Sequence, residues 1–104
     1  MSSNIRLTKT ETEAIVRVFK KFFNSEDKIY LFGSRADPTK KGGDIDLYIE
    51  TSIKDYDEAY EKKLKFIMKL QDIIGEQKID VVLDLGIKQV LIYKIAKEEG
   101  VRLA

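Results

Sequence analysis

At 104 residues the chain has room for one small domain with a core of its own, spanning residues 1–104, and not for two. Lys and Arg number 19 against 18 Asp and Glu, a formal net charge of +1, so a long anionic surface finds no global electrostatic support and direct nucleic-acid binding is not expected. With no Cys and no His, disulfides, thiolate and imidazole metal sites, thiol nucleophiles and Ser-His-Asp triads are excluded. Any metal must be held by oxygen, which suits Mg²⁺ or Mn²⁺. The N-terminus lacks the apolar core of a signal peptide and no run approaches the roughly 20 residues that span a bilayer, so a soluble cytoplasmic protein with no membrane partner is expected.

In chain order, Met1 to Leu7 reads as a frayed lead-in. Thr8 and Glu11 fit a capping box, and Ile15, Val18, Phe19, Phe22 and Phe23 recur at helical spacing, predicting an amphipathic helix that ends near Asn24. Lys28 to Phe32 is a short β-prone run that stops at Gly33-Ser34. Pro38, Gly42 and Gly43 mark an exposed loop, with Lys40 and Lys41 solvated.

From Asp44 to Ile49 the chain alternates strictly, which puts Asp44, Asp46 and Tyr48 on one face of a strand and Ile45, Leu47 and Ile49 on the other. Ser52 and Asp55 suggest a second cap. Tyr56, Tyr60, Leu64, Ile67, Gln71 and Ile74 then lie near one stripe of a long helix closed by Gly75, and packing is the preferred reading of its tyrosines over a partner surface. Glu58-Lys62 and Glu61-Lys65 are spaced as supporting i,i+4 pairs. Lys78 to Leu85 predicts a third strand, with Asp80, Val82 and Asp84 on one face. Lys88 to Glu99 predicts a last helix, closed by Gly100, before a short edge strand at Val101 to Ala104.

The chemistry concentrates between Leu31 and Glu50. Two carboxylates two residues apart on a strand have Cα atoms roughly 6.5 Å from each other, close enough to reach one hard cation or a pair of them. Without a cation they repel, and their pKa values rise. Gly33 lets the backbone turn sharply and approach a ligand, while the Ser34 hydroxyl and neighbouring N–H groups can hold phosphate oxygens, the more so if a helical turn starts at Ser34. Arg35 offers a cation beside them.

This order and spacing, with nine residues between Ser34 and Asp44, resembles the DNA polymerase β-type nucleotidyltransferases. Their signature is a hydrophobic residue, Gly-Ser, about ten residues, then Asp-hydrophobic-Asp-hydrophobic, and later a third carboxylate on a neighbouring strand. Phe32, Gly33, Ser34, Asp44, Ile45, Asp46 and Leu47 match it. Asp80, which opens the short run DVVL, matches the third carboxylate, leaving Asp84 as a strand-end cap. The brevity of the chain resembles the minimal nucleotidyltransferases of prokaryotic HEPN/MNT toxin–antitoxin modules.

The resemblance implies an α+β nucleotidyltransferase fold, a small mixed β-sheet packed with helices. It implies that Asp44, Asp46 and Asp80 hold Mg²⁺ or Mn²⁺ and carry catalysis, that Gly33, Ser34 and Arg35 bind the phosphates of ATP or another NTP, and that the loop carrying Lys40 and Lys41 lies near the nucleotide, where the alternative to solvation is screening those phosphates. Larger members add a helical domain for which this chain has no room, so a homo- or hetero-oligomer is expected. Three functions follow: transfer of AMP to a hydroxyl of a HEPN-domain helical partner, as antitoxin; transfer to a small molecule such as an aminoglycoside; or a non-catalytic module that neutralises a partner by contact.

Overall fold

The computed structural model describes residues 5–40 and 43–104. The architecture is the expected α+β: three α-helices and a four-stranded mixed sheet among the described residues, in the order α1 (Lys9–Phe22), β1 (Lys28–Phe32), β2 (Ile45–Glu50), α2 (Tyr56–Ile74), β3 (Ile79–Asp84), α3 (Leu91–Glu99) and β4 (Val101–Arg102). The sheet runs β3-β2-β1-β4. β1 is antiparallel to both β2 and β4, whereas β2 and β3 are parallel. Parallel neighbours need a long crossover, and α2 provides it.

Helix α1 begins where the capping box predicts. The Thr8 hydroxyl accepts from the Glu11 N–H and the Glu11 carboxylate accepts from the Thr8 N–H. Its apolar stripe, Ala14, Ile15, Val18 and Phe19, packs with Ile29 and Leu31 of β1 and Ile45, Leu47 and Ile49 of β2 in the main core. The lead-in is less frayed than expected: Ile5 and Leu7 pack against that core, and the Arg6 N–H donates to the Arg35 carbonyl. Residues 1–4 of that lead-in lie outside the described residues, as do Lys41 and Gly42 of the loop.

Helix α2 departs from the expected stripe. Its buried residues are Ala59, Phe66 and Leu70, whereas Tyr56, Tyr60 and Leu64 are exposed. Each i+4 step advances about 40° around a helix, so the Tyr56-Tyr60-Leu64 row winds away from the core; the 7- and 4-residue steps from Ala59 to Phe66 to Leu70 hold their line. Neither i,i+4 pair closes. The ion pairs among the described residues are Lys78–Asp44 and Lys97–Glu50. The cap is Asp55 alone, which accepts from the Asp57 and Glu58 N–H groups. Ser52 instead donates to Asp27, a buried carboxylate that also accepts from the Asn24 N–H and the Thr51 hydroxyl.

The second sheet face is not purely acidic. Tyr30, Tyr48 and Ala96 form a smaller core there, with Phe32, Val82 and Tyr93 against it. Helix α3 covers that half of the face, so Tyr48, on the same side as Asp46, is 1% exposed. Its hydroxyl donates to Asp84. Asp84 also accepts from the Gly86 N–H, the strand-end cap predicted for it. No described helix is long and apolar enough to cross a membrane.

Candidate active site

Parallel pairing of β2 with β3 sets Ile45 opposite Ile79 and therefore Asp46 opposite Asp80. Since side chains alternate, both carboxylates leave the sheet on the face away from α1 and α2. Asp44 sits one residue before β2, half-buried, 3.6 Å from the Lys78 ammonium. The three acids thus gather at one end of one sheet face.

Electrostatics agree with that placement. The Asp46 carboxyl is pushed above the usual carboxylate range by burial first, then by the negative charges of Asp80 and Asp44, against a smaller opposing pull from Lys78. A carboxylate so placed favours a nearby cation. All donors are hard oxygen, which fits a divalent cation of the Mg²⁺ type. Among the described residues, no three acidic side chains are placed to share one ion, so a metal here would take one or two carboxylates and complete its shell with water or phosphate oxygens.

The Gly-Ser turn faces these acids. Phe32, the last residue of β1, pairs with Asp46, and the chain then enters a single 3₁₀ turn, Gly33–Ala36. Gly33 has φ +75°, and a Cβ there would stand 2.5 Å from Asp46 Oδ2. Gly43 has φ +90°, and a Cβ there would collide with the Ser34 hydroxyl oxygen. Glycine at both positions is what lets the turn, the loop and the acidic strand meet. The helical turn does start here, but at Gly33 and for one turn only, so its free N–H groups matter more than any macrodipole.

Arg35 turns its guanidinium into the fold. Nε donates to the Gly43 carbonyl, Nη1 to the Arg6 carbonyl and Nη2 to Gln77 Oε1, at 3.1 to 3.3 Å. Gln77 in turn donates to Glu11, the capping residue of α1. Arg35 therefore ties the turn to the loop before Asp44 and to the entry of β3. Gln77 carries no local sequence signal, because its role depends on a contact 42 residues away. Beside the turn lies a cleft of about 330 Å³ bordered by Gly33, Ser34, Asp37, Lys40 and Glu99. Glu99 enters it through the fold alone, from the end of α3.

A nucleotidyltransferase fold is defined by this small mixed sheet, with acids at the end of two parallel strands opposite a Gly-Ser turn. The family model described as polymerase beta, nucleotidyltransferase, matches residues 13–103, and the chain belongs to that family. Its activity is accordingly nucleotidyl transfer. No curated protein matches the sequence.

Proposed function

We propose that the protein is a divalent-metal-dependent nucleotidyltransferase that moves AMP from ATP to a hydroxyl of a helical partner protein in the cytoplasm, a HEPN-type toxin that it silences. The observation that carries the chemical part is the approach of Gly33 to Asp46, which joins a phosphate-holding turn to a metal-holding strand. The architecture supports the partner: the described residues form the sheet and the helices packed on it, and a helical partner would bring the acceptor hydroxyl to its acidic end.

Asp44 and Asp46 hold Mg²⁺ or Mn²⁺, with Asp80 completing the set. When bound, the metal supplies Lewis-acid stabilisation of the attacking and leaving oxygens. The Ser34 hydroxyl and the turn's N–H groups hold the β- and γ-phosphates and orient pyrophosphate to depart. Arg35 keeps that turn in place and lends it positive charge, and Lys40 screens the phosphates from the side of the cleft. Asp80 takes the proton of the acceptor hydroxyl as it attacks the α-phosphorus.

The test is co-purification with the helical product of a neighbouring gene, incubation with Mg²⁺ and labelled ATP, and intact mass of both chains. Mass gain on the partner in steps of one AMP, lost in Asp46→Asn, is the expected result. A stable complex that gains no mass with any nucleoside triphosphate would make the protein a neutralising module instead.

A further inference from the structure

The exposed row on α2 has a pattern of its own. Tyr56, Tyr60, Leu64 and Met68 follow one another at strict four-residue steps and are 60%, 42%, 43% and 67% exposed. Four large apolar side chains in one ridge on a helix that is already packed on its other side form an unusual outer surface. Tyr56 and Tyr60 stack on each other, ring centroids 6.0 Å apart, so the ridge is ordered at its N-terminal end.

The charges beside the ridge identify its occupant. The next row is Asp57, Glu61, Lys65 and Lys69, two acids followed by two bases, all exposed and in neither of the ion pairs of the described residues. Such a row is complementary to itself when reversed. Against a second copy running antiparallel, Asp57 meets Lys69 and Glu61 meets Lys65, each twice by symmetry; a parallel pairing would set like against like. The ridge obeys the same reversal, Tyr60 facing Leu64 and Tyr56 facing Met68.

We propose that α2 is a self-association surface on which two copies of this chain pair antiparallel about a two-fold axis between Tyr60 and Leu64. The ridge ends in a place to receive its partner: Tyr56 borders a groove of about 600 Å³ lined by Leu83, Leu85, Ile87 and Tyr93 together with Lys63 and Lys88, open to the flexible side chain opposite it. Because α2 covers the sheet face opposite Asp46 and Asp80, pairing leaves both carboxylate sites open. The proposal is independent of the acceptor and of catalysis.

One helix-to-helix contact is small, so the dimer belongs in the micromolar range. Sedimentation equilibrium of the wild-type chain should show it, weakening with added salt. Leu64→Asp should weaken it more than about a hundredfold, because two charges would be buried without partners. Glu61→Lys and Lys65→Glu should each weaken self-association about tenfold, since each sets like charges opposite one another at both symmetry-related pairs. Mixed in equal amounts, the two charge variants should pair with each other at wild-type strength. That rescue separates antiparallel pairing from a folding defect. A wild-type chain still monomeric at about 0.5 mM, well above the micromolar range of a contact this small, or a mixture no tighter than its components, overturns the proposal.

Discussion

Gly33 lies directly against the Asp46 carboxylate, so close that a methyl group at position 33 would stand 2.5 Å from Oδ2. The residue that turns the chain after β1 and the residue expected to hold metal on β2 are therefore one packing unit, separated by 13 positions in sequence. The turn proposed to hold phosphate and the acid share a wall.

Gly33→Ala should consequently damage both stability and activity. The backbone there is left-handed, at φ +75°, and the new methyl must displace the carboxylate or the turn. A cost of about 1–2 kcal/mol follows from the backbone conformation. Displacing Asp46 adds a loss of transfer activity of about a hundredfold, even at a temperature where the variant is folded. Thermal melts and a transfer assay on one preparation check this, and wild-type activity in the variant would count against the contact.

Asp46→Asn should stop transfer and yet stabilise the metal-free protein at neutral pH. Burial, Asp80 and Asp44 raise the Asp46 pKa in the folded chain. A raised carboxyl contributes stability while it is protonated, at low pH, and loses that contribution as pH rises through its folded value. Asparagine cannot ionise, so in a chelator at pH 7 the variant should melt on the order of 1–4 °C higher. The advantage should vanish near pH 3, where an ordinary carboxylate is also protonated. Mg²⁺ should then raise the wild-type melting temperature and leave the variant's unchanged. Equal melting temperatures in chelator at pH 7 would mean that the acids do not repel as the geometry requires.

The two acids of β3 should separate cleanly by function. Asp80 faces Asp46 across the strand pair, while Asp84, two repeats further along, caps Gly86 and accepts from Tyr48. Asp80→Asn should lower transfer about a thousandfold with little change in melting temperature. Asp84→Ala should cost about 1 kcal/mol, since the nearly buried Tyr48 hydroxyl loses its closer acceptor and keeps only the Glu50 carboxylate at 3.4 Å, and should keep activity within a few-fold. Paired measurements of melting temperature and kcat check both; the opposite pattern would move the third carboxylate to Asp84.

Much of this site was legible because its signals are local. Alternation from Asp44 to Ile49 fixed which residues share a face, the Thr8–Glu11 box fixed where α1 starts, and the Gly-Ser pair marked the end of β1. The parallel register that sets Asp80 beside Asp46 was foreseen only as a condition, since nothing within β3 reveals its neighbour. Two errors share one physical origin. Alternation groups Tyr48 with the acids Asp44 and Asp46, yet it is buried, and helical spacing puts Tyr56 and Tyr60 on a packed stripe, yet they are exposed, because tyrosine patterns equally well with core and surface. What decides is which element covers it: α3 lies over Tyr48, whereas Tyr60 meets Tyr56 and Lys63 of its own helix and stays 42% exposed. Gln77 and Glu99 were invisible for a related reason: each reaches the site across more than 40 residues of chain.

The Arg35 contacts lead to the last prediction, which separates holding the site from holding the substrate. Three hydrogen bonds run from its guanidinium to Gly43, Arg6 and Gln77, so the fork spans the loop before Asp44 and the entry to β3. Lysine keeps the charge but cannot reach three acceptors at once. If Arg35 acts mainly by positioning, Arg35→Lys should lower kcat about tenfold while KM for the nucleotide stays within about threefold. Gln77→Leu, which touches no phosphate, should shift kcat in the same direction by a smaller factor. A KM that rises in Arg35→Lys and not in Gln77→Leu would instead make the guanidinium a direct phosphate ligand, one that leaves its three protein partners when the nucleotide arrives.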